Sequence, residues 1–290
     1  MPNSIELFKQ YTTLLDEVYK TSSLTSVLDG ASELVAQGAN ANELVVQKMS
    51  MDGLADYSRN GGYVAGSVTM TNETVKCNFD RGRMFQIDNM DNAETAGMAY
   101  GRLSAEFIRT KVNPELDAFR FAKYASIAGI STVAGAALTT GEAALKAISA
   151  AYDKMTDDEV PESDRHLFIT PTLRGMIRDL NTTTSKEVMD KFASVTSVPQ
   201  SRFYTAIEQK SGGTGEEAGG YAKAAGGVNI NFMIVHKPAV IQYQKHVAPK
   251  VVTPEMNQDA DAWKFGYRNV GIADAYENKV AGIYLHKAEA

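Results

Sequence analysis

The clearest hydrophobic periodicity in the chain lies in residues 86–124, QIDNMDNAETAGMAYGRLSAEFIRTKVNPELDAFRFAKY. Ala96, Ala99, Tyr100, Leu103 and Phe107 recur at helical spacing, and Met98, Ala105, Ile108 and Val112 form a second stripe beside them. The spacing predicts a helix with a broad buried face. Asp91 stands at the expected N-cap and Glu94 follows three residues later, a pair able to satisfy the first free N–H groups. Pro114 disfavours the α conformation at Asn113 but suits the start of a new helix. The pattern therefore predicts a kink, with Asn113 capping a second segment through Leu116, Phe119 and Tyr124. At about 1.5 Å per residue the rod spans roughly 50 Å, longer than a compact core of this size needs.

Upstream, Leu7, Phe8, Tyr11, Leu14, Leu15, Val18 and Tyr19 pattern residues 4–20 as an amphipathic helix, and a short apolar segment covers 24–35. Together they read either as the opening helices of an ordinary core or as an arm that docks on another subunit. ELVVQKMSM, 43–51, has strand character. Residues 63–70 and 74–79 read as two strands joined by a turn at Thr71-Asn72, a hairpin whose faces carry Thr, Ser, Asn and Lys. A bare two-stranded ribbon of this kind is marginal in water and wants a partner surface.

Downstream, small residues over 125–137 place a boundary near Ala136. Helix and strand then alternate: a helix over 140–152, a buried strand at 166–170, a helix opening with Pro171, the strand VNINFMIV at 228–235, and a helix over 237–245. Residues 211–227 hold seven glycines in 17 positions. They lack the lysine of a phosphate-binding loop and read as a mobile surface loop. Trp263, Phe265 and Tyr267 alternate across a strand ending near Arg268-Asn269, and 282–286 form a last strand. Pairing of 247–286 with 43–51 is the expectation, making the chain α+β with an inserted α/β unit.

The 290 residues are 44% hydrophobic, enough for a sizeable core. With 35 acidic against 29 basic side chains, the net charge of −6 argues against gripping phosphates and is compatible with enclosing nucleic acid. The single cysteine, Cys77, rules out an internal disulfide framework and reads as a small packed hydrophobe. MPNSIELFKQ lacks a signal-peptide pattern and no apolar run is long enough to span a bilayer, so a soluble cytoplasmic product is expected. His166, His236, His246 and His286 lack metal-site spacing, Asp157-Asp158 and Glu216-Glu217 sit in charged loops, and no nucleophile elbow is present. The reading is no enzyme, no metal and no cofactor. Arg59, Arg81 and Arg83 cluster near the hairpin, with Asp88, Asp91 and Glu94 close behind, either as solvated charge or as pairs between subunits.

Four motifs carry a resemblance: FQIDNMDNAET at 85–95, VNPELD at 112–117, VPQSRF at 198–203, and QDADAW at 258–263 with Tyr267-Arg268. In their order and spacing the chain resembles the tailed-bacteriophage major capsid proteins, whose Hong Kong 97-like coat fold is shared with encapsulin shells and herpesvirus capsids. The resemblance implies an N-terminal arm (1–40), a peripheral domain (41–135 and 247–290) with an extended loop at 55–88 and a spine helix at 91–124, and an axial domain at 136–246. It implies self-assembly through pentamers and hexamers into an icosahedral shell. Such a shell encloses double-stranded DNA without sequence-specific binding, in a virion made in the host bacterial cytoplasm and without a membrane. A portal is implied and, since about 40 residues precede the first strand, a separate scaffolding protein. It also places Arg59, Arg81 and Arg83 opposite Asp88, Asp91 and Glu94 across subunit boundaries. The alternatives are an encapsulin-like compartment and a cytoplasmic α/β enzyme using the glycine-rich loop.

Overall fold

The most apolar runs of the chain become its central strands. In a computed structural model the described residues are 23–30, 36–37, 43–94, 103, 105–133 and 135–289. The strands are β1 (Ala36–Gln37), β2 (Glu43–Met51), β3 (Val68–Lys76), β4 (Phe79–Asp88), β5 (Ser131–Val133), β6 (Arg165–Ile169), β7 (Ser194–Ser197), β8 (Ile207–Gln209), β9 (Tyr221–Lys223), β10 (Ile230–His236), β11 (Val240–Val252), β12 (Ala262–Ala275) and β13 (Ile283–Lys287). The helices are α1 (Asn89–Glu94), α2 (Asn113–Ala125), α3 (Gly141–Asp157), α4 (Pro171–Leu180) and α5 (Thr183–Asp190).

A five-stranded sheet of order β5-β13-β10-β6-β7 holds the two main cores. β10 runs antiparallel to β13 and β6, while β5 and β7 join the edges in parallel. Alternate residues face opposite ways. Leu167, Ile169, Phe232 and Ile234 pack with Ile148, Leu173 and Ile177 of α3 and α4. Phe168, Met233 and Val235 pack with Phe121, Tyr124 and Phe203. Coverage on both faces explains why β6 and β10 read as continuous apolar runs. Phe121 sits at the hub of the second core, edge-on to Phe168 at 5.2 Å and to Phe203 at 4.8 Å.

A second, antiparallel sheet has the order β11-β12-β4. Phe107, on the helix leading to α2, packs edge-on to Phe85 of β4 at 4.8 Å and lies 6.2 Å from Tyr267 of β12. β1, β2 and β3 form a third sheet, and β8 and β9 a small hairpin.

The sequence expectations for β6, α3, α4 and β10 hold to within a few residues, but others need correction. β3 runs straight through Thr71-Asn72, so the hairpin partner of 68–76 is β2 and not 74–79. Thr is a good strand residue, and the nine-residue register with β2 overrides a weak turn signal. β2 does not pair with 247–286. β13 lies instead in the five-stranded sheet, between β5 and β10. Residues 79–88, placed in the extended loop, are β4 and pair along β12. The helix expected over 237–245 is β11, where β-branched and aromatic Val240, Ile241 and Tyr243 pair with β12. β12 itself continues past Asn269 to Ala275.

The rod also differs in detail. Asn113 lies in the α region (φ −62°, ψ −44°) and does not cap a new helix. A π-helical turn, Ile108–Val112, precedes it, and Asn113 N–H donates to Ile108 O five residues back. The widened turn accommodates the missing N–H and the ring of Pro114 without ending the helix. At the other end α1 starts before Asp91, and Asp88 Oδ1 accepts from Met90 N at 2.8 Å in the capping role. The stripe residues Ala96, Met98, Ala99 and Tyr100, the 4–20 helix and residues 31–35 of the 24–35 segment lie outside the described residues.

Candidate assembly surfaces

β2 and β3 keep unbroken register from Glu43 opposite Lys76 to Met51 opposite Val68. Directly opposed residues share a face, as do alternate residues of one strand. Met49 opposes Met70 and Met51 opposes Val68, so these four make one apolar face. Each is more than half exposed. Ser50 opposite Thr69 belongs to the other face. At the tip, Tyr57 and Tyr63 meet edge-on at 4.9 Å beside exposed Leu54 and Val64, and Ser58 and Gly62 bridge. Asp52 Oδ2 accepts from Ser67 N at 2.7 Å and ties the two sides of the tip together. The root is anchored: Val75 is buried with Ile241 and Ile272, and Cys77 packs beside them as a small hydrophobe. An apolar face of this kind, rooted in the body and bare in the subunit, is how a contact surface is built. Sequence reasoning missed it because the wrong partner strand hid the opposition of Met49 and Met51 on β2 to Met70 and Val68 on β3.

Of the six residues expected at subunit boundaries, Arg81 and Arg83 come together on β4. Arg81 is paired within its own chain, Nε to Glu115 Oε1 at 2.8 Å, and Nη2 donates to Lys210 O at 2.7 Å. Glu115, in the first turn of α2, is not one of the three carboxylates expected opposite Arg81, namely Asp88, Asp91 and Glu94. Arg83 Nη2 donates to Glu217 O at 2.6 Å. Both arginines thus hold the loop between β8 and β9. That loop turns at Gly212, Gly215, Gly219 and Gly220, all at positive φ. A Cβ on Gly219 would stand 2.8 Å from Arg83 Nη1. The glycine run serves tight turns and this close approach. Beneath it a cavity of about 810 Å³ is lined by Phe85, Phe107, Tyr267, Arg81 and Glu115 among others. Arg59 is exposed on the ribbon tip, apart from the other two. Asp88 is exposed, Asp91 lies in the first turn of α1, and the Glu94 side chain lies outside the described residues.

A buried polar cluster went unrecognised in the sequence, although two of the motifs end in it. Asp117, from VNPELD, is fully buried and accepts from Arg202 Nη1, from VPQSRF, at 2.9 Å. It also accepts from Ser23 Oγ at 2.9 Å, Leu24 N at 3.0 Å and Thr25 Oγ1 at 2.8 Å. Arg120 donates to Thr25 Oγ1 at 2.8 Å and to Asp29 Oδ1 at 3.2 Å. Removing one partner of such a buried pair typically costs about 3–5 kcal/mol, because the other charge is left uncompensated.

The histidines are structural in placement. His166 Nδ1 meets Ser194 Oγ at 2.7 Å, and His286 Nδ1 lies 3.2 Å from Asn231 Nδ2. Burial pushes the imidazoles of His166, His236 and His286 down from their ordinary value. Lys237 adds to this at His166, and Arg165 at His236. The His246 side chain lies outside the described residues. Among the described residues no three His, Cys, Asp or Glu side chains form a group able to hold a metal, and no helix is long and apolar enough to cross a membrane.

No family model and no curated protein matches the chain. Solved structures do. The structure of Mycobacterium phage Che8 matches over 99% of this chain and 98% of its own, at 15% identity and a TM-score of 0.63. The capsid structure of the cyanophage P-SCSP1u covers 97% of this chain and 93% of its own, at 12% identity and a TM-score of 0.67. A virus-like particle from Pyrococcus furiosus covers 91% of this chain and 97% of its own, at 10% identity and a TM-score of 0.54. At these identities the likeness is one of fold, and it runs the length of the chain: this protein has the Hong Kong 97-like capsid fold that its motifs resemble.

Proposed function

We propose that this chain is the major coat protein of a tailed double-stranded DNA bacteriophage, assembling with copies of itself into an icosahedral shell. One observation carries the reading: a capsid fold from which the β2–β3 ribbon projects, with Met49, Met51, Val68 and Met70 uncovered within the subunit. In the terms of that fold the ribbon and its tip form the extended loop, and the helix through α2 is the spine. The five-stranded sheet with α3, α4 and α5 corresponds to the axial domain, and β11-β12-β4 to the peripheral sheet. The role is structural rather than enzymatic, and the location is the virion capsid. Pentamers and hexamers are the assembly units, with a scaffolding protein and a portal as separate partners. The net charge of −6 suits a wall that encloses DNA without gripping it. Arg59 and the ribbon tip remain the candidates for boundary contacts, whereas Arg81 is committed to Glu115.

Electron microscopy of the expressed protein tests the reading. Closed shells or capsomers are expected, and a monomer that stays featureless at high concentration would overturn it. The likeness to the Pyrococcus furiosus particle favours a second reading, an encapsulin-like compartment. Purified particles filled with protein cargo instead of DNA would select it.

A further inference from the structure

Three parts of the fold meet around the cavity of about 810 Å³: strands β4 and β12, the helix leading into α2, and the loop between β8 and β9. A space of that size suits a small organic molecule. Phe85, Leu103, Phe107, Val112 and Tyr267 give it apolar walls. Its charges do not balance. Among the described residues five cations line it, Arg81, Arg83, Arg109, Lys111 and Lys210, against two carboxylates, Glu106 and Glu115. Arg81 is paired with Glu115 at 2.8 Å, Arg109 with Glu106, and Lys210 with Glu216 at 3.4 Å. Arg83 and Lys111 have no carboxylate partner among the described residues; Arg83 gives one N–H to Glu217 O, which leaves its charge uncompensated. Both are exposed and mark the open side of the cavity.

We propose that this cavity is a binding site for a small amphipathic anion, an aromatic or branched aliphatic body carrying a carboxylate or sulfonate. The apolar body is taken up between Phe85, Phe107 and Tyr267, and the anionic group by Arg83 and Lys111. A local surplus of positive charge in a chain of net charge −6 is a feature of this place and not of the surface as a whole. Walls of low dielectric focus such a field on whatever enters, so the two cations act more strongly here than on an open face. Arg83 also has N–H groups to spare, since a guanidinium carries five and only the bond to Glu217 O uses one. Its planar fork can hold a carboxylate by two of them. Asn269, 2% exposed on the same wall, keeps a carbonyl oxygen without a hydrogen-bond partner. An occupant that brings an N–H or O–H donor, directly or through a water, completes it. Because Gly212, Gly219 and Gly220 form part of the lining, a bound anion joins the loop to the helix and the sheet. The site lies within one subunit and is independent of the coat-protein reading.

The test titrates the full chain with two fluorescent probes, anilinonaphthalene sulfonate and its neutral twin phenylnaphthylamine, which has the same rings and N–H but no sulfonate. Saturable binding of the sulfonate at one site per chain is expected. Lys111→Glu, at an exposed position, should weaken the sulfonate about tenfold and change the neutral probe less than twofold. Ala105→Trp, which fills the cavity from an exposed helix position, should abolish binding of both. Met51→Ser with Val68→Ser should change neither, because the ribbon face is a separate apolar surface. Absence of saturable binding, equal effects of Lys111→Glu on the two probes, or loss of binding in the ribbon variant overturns the proposal. Should circular dichroism show Ala105→Trp unfolded, hydrogen exchange on the unmodified chain decides in its place. Saturating sulfonate should slow exchange in residues 210–220, and unchanged exchange there overturns the proposal.

Discussion

β10 and the β2–β3 ribbon both present apolar side chains, and the molecule treats them in opposite ways. In β10, Phe232 and Ile234 lie under α3 and α4 and Met233 and Val235 under α2, all fully buried. On the ribbon, Met49, Met51, Val68 and Met70 stand in solvent, although Val75 at the same ribbon's root is buried. The difference separates two kinds of stability. The five-stranded sheet completes its packing inside one chain, so its strands hold the subunit together. The ribbon leaves its apolar residues uncovered within the chain, so they add little to the subunit and are available to the assembly proposed above.

The comparison breaks most directly at Phe168, which touches Phe121 on the better-packed side. Phe168→Ala should destabilise the subunit by about 3–5 kcal/mol, read as a lower urea midpoint. A loss below about 1 kcal/mol would mean the sheet is not what holds the chain.

Acid should act on the same region and spare the ribbon. The folded state holds His166, His236 and His286 below their ordinary value of 6.5 by burying the neutral ring. The unfolded chain then binds more protons than the folded one as the pH falls below that value. Stability is fully present above about pH 6.5 and is lost on acidification until the folded histidines themselves protonate. Urea midpoints at pH 7.5 and 5.5 check the sign, and equal midpoints would contradict it.

Arg83→Glu removes the bond to Glu217 O from an exposed site. It should leave a folded, soluble subunit within about 1 kcal/mol of the parent, with faster hydrogen exchange in the loop 210–220. Unaltered exchange there would show that Arg83 does not hold the loop. The smallest effect on the subunit is expected from Met51→Ser with Val68→Ser, about 0.5 kcal/mol or less at each site, together with loss of shells in the microscope. Normal shells would remove the ribbon face from the assembly surface.

Local rules carried part of this molecule. RHLFI, VNINFMIV and the proline-led helix at 171–180 were legible because two-faced burial and a Pro at the first turn leave marks within a few neighbouring residues. The glycine run was legible as a loop over 211–220 for the same reason, although Tyr221–Lys223 within the expected loop is strand β9. Its grip on Arg83 was not, since φ alone does not say what approaches. Arg81 was legible as a pairing residue, yet its partner Glu115 lies 34 positions on and only the packing of α2 against β4 brings them together.

From the sequence alone came the apolar strands and the helix through residues 113–125, which depend on neighbours within a turn or a strand, whereas the fold class came from the resemblance carried by motifs spread along the chain. The tertiary structure decided which strands pair, because alternation identifies a strand's two faces but not the strand beside it. It moved β13 into the central sheet, turned 240–245 from helix to strand, and gave β2 to the ribbon. It also brought Asp117 to Arg202 and residues 23–30. Contacts across 85 to 94 residues are set by how whole elements pack, and no local pattern encodes them.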